Sequence, residues 1–111
     1  MGFIIIYITH ANLEEAKKIT SVLLEKKLIA CANFFPIESC YFWKGNLENS
    51  NEIVSIVKTR KENWQNVKGN IEKLHPYEVP CIMKMEVEAN ESYEEWILNE
   101  TMVKRELEKR K

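Results

Sequence analysis

A chain of 111 residues has the length of one domain, and 45% apolar with 30% charged residues is an ordinary globular balance. Sixteen Lys and Arg stand against 17 Asp and Glu, a formal net charge of −1, which lacks the basic excess of a general nucleic-acid binder. With 10% aromatics the chain is not a disordered tail. The apolar run at residues 3–8 is six residues long, where a membrane span needs about 20. No basic stretch followed by a long apolar one marks a secretory signal. The three cysteines, Cys31, Cys40 and Cys81, contain no Cys-x-x-Cys pair. An odd number in that pattern is neither a disulfide framework nor a zinc ribbon. They are expected as small buried hydrophobes in a reducing compartment, which points to the cytoplasm.

In chain order, Phe3-Ile-Ile-Ile-Tyr-Ile8 is β-branched and aromatic, apolar on both faces, as a central strand would be. Asn12 is a good N-cap, with Glu15 three positions on where a capping-box acid belongs. Leu13, Ala16, Ile19, Leu23 and Leu24 then fall on one helical stripe. Residues 28–43 are rich in β-formers without helical periodicity, and Pro36 inside them predicts an irregularity. Gly45-Asn46 signals a turn, and residues 52–60 read as another strand. Trp64, Val67, Ile71 and Leu74 recur at helical spacing. Gly69 inside that helix costs about 1 kcal/mol relative to Ala, so a close packing contact is expected there. His75-Pro76 ends the helix, because the residue before proline disfavours the α region. Residues 79–87 form a strand with Cys81, Met83, Met85 and Val87 on one face. Ser92 caps a last helix carrying Tyr93, Trp96 and Ile97, and the charged tail at 104–111 is either a solvated helix extension or frayed, with fraying expected at its last few residues. The order β-α-β-β-α-β plus a C-terminal helix predicts one α+β, ferredoxin-like split-βαβ domain over residues 1–111.

Residues 28–43 are too long for that domain. Sixteen extended residues span about 50 Å at ~3.3 Å each, whereas a compact domain of this length has a radius of gyration near 13 Å. One end of the strand, with its partner after Gly45, should project and carry Tyr41, Phe42 and Trp43. A lone two-stranded ribbon is marginal in water and an aromatic edge invites pairing, so neighbouring subunits are expected to cover it. The competing reading is a bulge at Pro36 that folds the strand back onto its own core.

Several segments together resemble one family. Glu25-Lys-Lys-Leu-Ile-Ala-Cys-Ala-Asn33, Tyr41-Phe-Trp-Lys-Gly45, Lys58-Thr-Arg60 and His75-Pro-Tyr-Glu-Val-Pro80 resemble the CutA divalent-cation tolerance proteins in order and spacing. The resemblance runs from about residue 3 to about residue 99, with 100–111 as a charged extension. It implies a ferredoxin-like protomer in a tight homotrimer whose strands pair between subunits, similar to PII signalling proteins. It also implies a role in divalent metal ion tolerance or response, with binding of copper or another divalent cation. Some members are proposed to bind copper through a first-strand Cys, the His of the His-Pro pair and a Glu after the Val-Pro pair. Those positions here are Ile8, His75 and Cys81. A His75/Cys81 pair suits copper(I) or zinc, since soft thiolate favours them, but zinc asks for at least three protein ligands. His10 is a third candidate. Otherwise His75 stops a helix and bonds locally while Cys81 packs in a strand.

A second set is Lys58 and Arg60, two apart on a strand, with His75, Tyr77 and Glu78. In clefts between subunits these could hold a small anionic metabolite, Arg60 giving bidentate contacts, as the alternative to a metal role. The competing reading is an ion pair of Glu78 with Lys58 or Arg60 at the interface. Tyr41 and Trp43 are expected as interface core rather than a stacking surface. No catalytic series is visible, three glycines leave no phosphate loop, and Cys31 has no neighbour to lower its pKa, so no enzyme is expected.

Overall fold

In the computed structural model, which describes residues 2–110, four strands form one antiparallel sheet. They are β1 (Phe3–His10), β2 (Cys31–Trp43), β3 (Asn46–Thr59) and β4 (Ile82–Val87), in the spatial order β2-β3-β1-β4. Helix α1 (Leu13–Glu25) joins β1 to β2, and α2 (Trp64–Leu74), after a 3-10 turn, joins β3 to β4. Helices α3 (Glu91–Glu100) and α4 (Lys104–Arg110) follow. This is the ferredoxin-like order expected from the sequence.

Alternate residues of β1 make the core. Ile4, Ile6 and Ile8 pack with Val57 of β3, Ile19 and Leu23 of α1, Val67 and Ile71 of α2, and Ile29. Period 2 in the strand thus meets period 3.6 in two helices on one sheet face. Asn12 caps α1, its side-chain oxygen accepting from the Glu15 N–H at 2.8 Å. Leu13 and Leu24, read onto the buried stripe, are instead 42% exposed. The other sheet face is only partly covered by α3, where Tyr93 meets Phe3 edge-on. Phe35, Met83 and Met85 remain 39–50% exposed there.

Strand β2 is 13 residues and β3 is 14, starting at Asn46 rather than at residue 52. Their register is unbroken from Cys31↔Lys58 to Trp43↔Asn46, with Pro36 opposite Ile53. The irregularity expected at Pro36 is therefore absent, and with it the fold-back. Pro36 lies on an edge strand, where an N–H can be missing without loss of a ladder bond. Strand β1 pairs with β3 only as far as His10↔Ile53. The pairs from Ile37↔Glu52 to Trp43↔Asn46 thus stand as a two-stranded ribbon beyond the sheet. The ribbon gives the chain extents of 55 × 26 × 21 Å and a radius of gyration of 15.3 Å. Its turn sets Lys44 at φ 50° and Gly45 at φ 82°, the positive pair of a type I′ hairpin.

Other local expectations are corrected. A Cβ on Gly69 would meet nothing within 4 Å, so no close contact explains it. The cap position of α3 is Asn90, not Ser92. The Glu94 carboxylate accepts from the N–H groups of Gly2 (2.6 Å) and Ala89 (2.8 Å), tying the chain start to α3. Of the two readings of the charged tail, the helix extension holds through Arg110, and Lys111 lies outside the described residues. Cys40 is exposed and Cys31 half-buried in the chain, not enclosed as small hydrophobes, because both sit on the edge strand.

Candidate functional site

At the C-terminal end of β1 three rings stack in a column. His10 is fully buried, and its Nε2 lies 2.7 Å from Ser55 Oγ. Its ring stacks on His75 at 5.4 Å between centroids, 18° from parallel, and His75 meets Tyr77 edge-on at 4.6 Å. His75 reaches this place because it ends α2 in extended conformation, ψ 130°, before Pro76. Its Nε2 donates to the Thr9 carbonyl at 2.8 Å and its Nδ1 accepts from the Tyr77 N–H at 3.1 Å. A carbonyl only accepts and an amide N–H only donates, so the tautomer is fixed and both ring nitrogens are used. His10 differs: its Nδ1 is buried without a partner among the described residues. Burial, then the neighbouring His75, holds the His10 pKa down to about 4, with the Glu52 charge opposing.

Glu52, 8% exposed, accepts a hydrogen bond from Tyr77 Oη at 2.8 Å. Burial, then the bond to Glu52 and its charge, pushes the Tyr77 hydroxyl well above its ordinary value. Burial and the Glu52 charge likewise push the Cys81 thiol up. Between the ribbon and the loop at 75–81 opens a cleft of about 560 Å3. Tyr41, Trp43 and Tyr77 wall it, and Glu48, Glu52 and Glu78 supply its charge.

This end of the sheet thus gathers His75, Tyr77, Glu78, Cys81, Tyr41 and Trp43, all singled out from the sequence. Lys58 and Arg60 are not with them. Lys58 stands six residues along β3 from Glu52, about 20 Å away. It donates to Tyr93 Oη at 3.1 Å and lies 5.4 Å over that ring. Arg60 holds Glu106 of α4 through two bonds of 2.9 and 3.0 Å. Glu78 pairs with Lys44 at 3.6 Å, not with Lys58 or Arg60. Within one chain the expected anion site is therefore unassembled, since a straight strand keeps its two ends apart.

The expected metal pair fares no better in one chain. Both nitrogens of His75 are engaged, burial and the Glu52 charge push the Cys81 thiol up, and no group of three or more His, Cys, Asp or Glu able to hold a metal ion occurs among the described residues. His10 does lie beside His75 as a third ligand would, but it faces Ser55. Within one chain the described residues assemble no complete copper or zinc centre. Glu48, Glu52 and Lys44 escaped the sequence reading. Strand parity alone puts Glu48 and Glu52 on one face, but their meeting with Tyr77 depends on where the loop after α2 lies.

A family model described as CutA1 divalent ion tolerance protein matches residues 4–100. The divalent-cation tolerance protein CutA of Pyrococcus horikoshii is 41% identical over 99 residues, covering 88% of this chain and 97% of the relative. Among solved structures, the periplasmic divalent cation tolerance protein CutA from Archaeoglobus fulgidus has a TM-score of 0.86 at 41% identity, covering 92% of this chain and 100% of that one. CutA1 from Pyrococcus horikoshii has a TM-score of 0.87 at 40% identity, covering 90% and 99%. Among the described residues no helix is long and apolar enough to cross a membrane.

Proposed function

Because the chain belongs to the CutA1 divalent ion tolerance protein family, we propose that it serves in the tolerance of, and response to, divalent cations as a homotrimeric scaffold rather than as a catalyst. The observation that carries the role is the match along residues 4–100, and the relatives are named for tolerance and not for a reaction. The trimer is supported by the ribbon. Tyr41 (43%), Phe42 (75%), Trp43 (37%) and Leu47 (57%) are exposed on a two-stranded projection that water alone stabilises poorly. Subunits that pair along these strands bury them and the open sheet face together. Three free cysteines, Cys40 among them exposed, support a reducing compartment, the cytoplasm in this reading.

This role does not run through a resident copper or zinc ion on His75 and Cys81. Light scattering on the purified protein should report about three times the chain mass of 13.1 kDa, and a monomer overturns the scaffold. Cells lacking the protein should lose tolerance to copper(II) or zinc(II), and His75→Ala should restore it as well as the unaltered chain does. Unaltered tolerance on deletion removes the cation role. Failure of both His75→Ala and Cys81→Ser, in variants that keep the unaltered chain's mass and thermal stability, reinstates the pair as ligands.

A further inference from the structure

We propose that Arg60 anchors a binding site for a small monocarboxylate with an apolar body, and that helix α4 keeps this site closed with its own carboxylate, Glu106. This goes beyond the tolerance role and does not depend on it, since every group invoked belongs to one chain. Glu106 takes Nη1 and Nη2 of Arg60 at 2.9 and 3.0 Å, the fork that fits any carboxylate. The family match covers residues 4–100, so it includes the arginine and omits the helix that occupies it. Lys58, His75, Tyr77 and Glu78, expected beside Arg60, have no part in this site.

Two observations indicate that Glu106 does not complete the site. Arg60 Nε is buried with no partner among the described residues, and a buried donor left without an acceptor is costly. Glu106 reaches only the two terminal nitrogens. A free carboxylate, not tethered to a helix, can turn to the Nε and Nη2 edge and satisfy both donors. Arg60 also lines a cavity of about 320 Å3 between β1, the end of β3 and α3. Phe3, Ile97 and Leu98 give that cavity apolar walls. The head of a ligand thus meets the guanidinium while its body meets hydrocarbon.

The charges beside the cavity set the valence of the ligand. Glu94 already gives its two oxygens to the N–H groups of Gly2 and Ala89. Lys61 pairs with Glu86 at 3.8 Å, and Glu62 is exposed, where salt and water screen it. With Glu106 displaced, Arg60 is the part-buried charge left without a partner, and one negative charge balances it. Glu106 is also displaceable, with its side chain 35% exposed. Helix α4 has seven residues, about half the length at which an isolated helix holds in water. Among the described residues, the two bonds from Arg60 are the only hydrogen bonds that tie α4 to residues before Val103.

The test is calorimetry on the full chain at neutral pH with isocaproate as probe. Acetate, which has the head alone, isohexanol, which has the body alone, and inorganic phosphate serve as controls. Isocaproate should bind saturably, and acetate and isohexanol at least about tenfold more weakly. Arg60→Lys keeps the charge and loses the fork, so it should weaken binding about tenfold or more. Glu106→Gln removes the built-in carboxylate and should tighten binding about tenfold. Arg105 lies in α4, so saturating isocaproate should quicken tryptic cleavage after it as the helix lets go. A purely structural ion pair gives a different result in Glu106→Gln, a lower thermal midpoint with no gain in affinity. That result overturns the proposal, as does the absence of saturable binding in both the unaltered chain and Glu106→Gln. Undiminished affinity in Arg60→Lys overturns it as well. Phosphate or acetate binding as tightly as isocaproate also overturns it, by removing the apolar part of the site.

Discussion

His10 and His75 sit ring on ring, but their nitrogens have opposite fates. His75 uses both, to Thr9 and Tyr77, and so acts as a brace between β1 and the loop after α2. His10 keeps one buried nitrogen free and resists taking a proton, with its pKa near 4 against 6.5 in an unfolded chain. As pH falls, the unfolded chain therefore takes up this proton first. The His10 contribution is intact above about pH 6.5 and is lost progressively toward pH 4, on the order of 2–3 kcal/mol per chain. Denaturant midpoints measured between pH 7 and 4.5 should show this fall, and His10→Gln, which does not titrate, should flatten it. An unchanged slope in the variant would move the effect to other groups. Glu94 and Glu106 behave oppositely. Their pKa values are held below the carboxylate norm, Glu94 by the amides of Ala89 and Gly2 and Glu106 by Arg60 and the Val103 amide. Their stabilisation is present at neutral pH and is lost only below the ordinary carboxylate range, so the two windows separate.

The elements form where local chemistry permits one answer. Asn12 and Glu15 start α1 as read from the sequence, and Pro76 stops α2 at His75. Pro36 shows the limit of local reading. Proline in a strand permits either a bulge or an edge, and only the sheet order, with β2 outermost, chooses the edge. Gly69 is similar. Its cost in the helix was legible, but whether a neighbour justified it depended on packing, and space beside it is open. Gly69→Ala should therefore stabilise the protein by about 0.5–1 kcal/mol, read as a higher denaturant midpoint. A lower midpoint would mean that another surface packs against that face. The mostly charged sequence of α4 left a solvated helix extension or a frayed end both open, with fraying favoured only at the last few residues. The helix has a tertiary anchor, the paired bonds from Arg60 to Glu106, and no local pattern announces a partner 46 residues away.

At the scale of the molecule the ribbon dominates. Strands β2 and β3 outrun the sheet, and the exposed pair Phe42↔Leu47 lies on the ribbon face opposite Trp43. Charging that pair with Phe42→Asp and Leu47→Asp costs an isolated chain little, since both are exposed, but it disrupts a packed interface. The double variant should shift from three times 13.1 kDa toward the single-chain mass and lose thermal stability. An unchanged mass would place the subunit contact elsewhere. The sequence by itself determined the element order, the ferredoxin-like class and a strand pair too long for its domain, because hydrophobic period, capping and length are local properties of the chain. The tertiary structure decided which groups share a site. It set Lys58 and Arg60 at one end of a strand and Tyr77, Glu52 and Glu48 at the other, and it put His10 against His75. Those meetings depend on where a loop returns to the sheet, and residue spacing along the chain does not encode that distance.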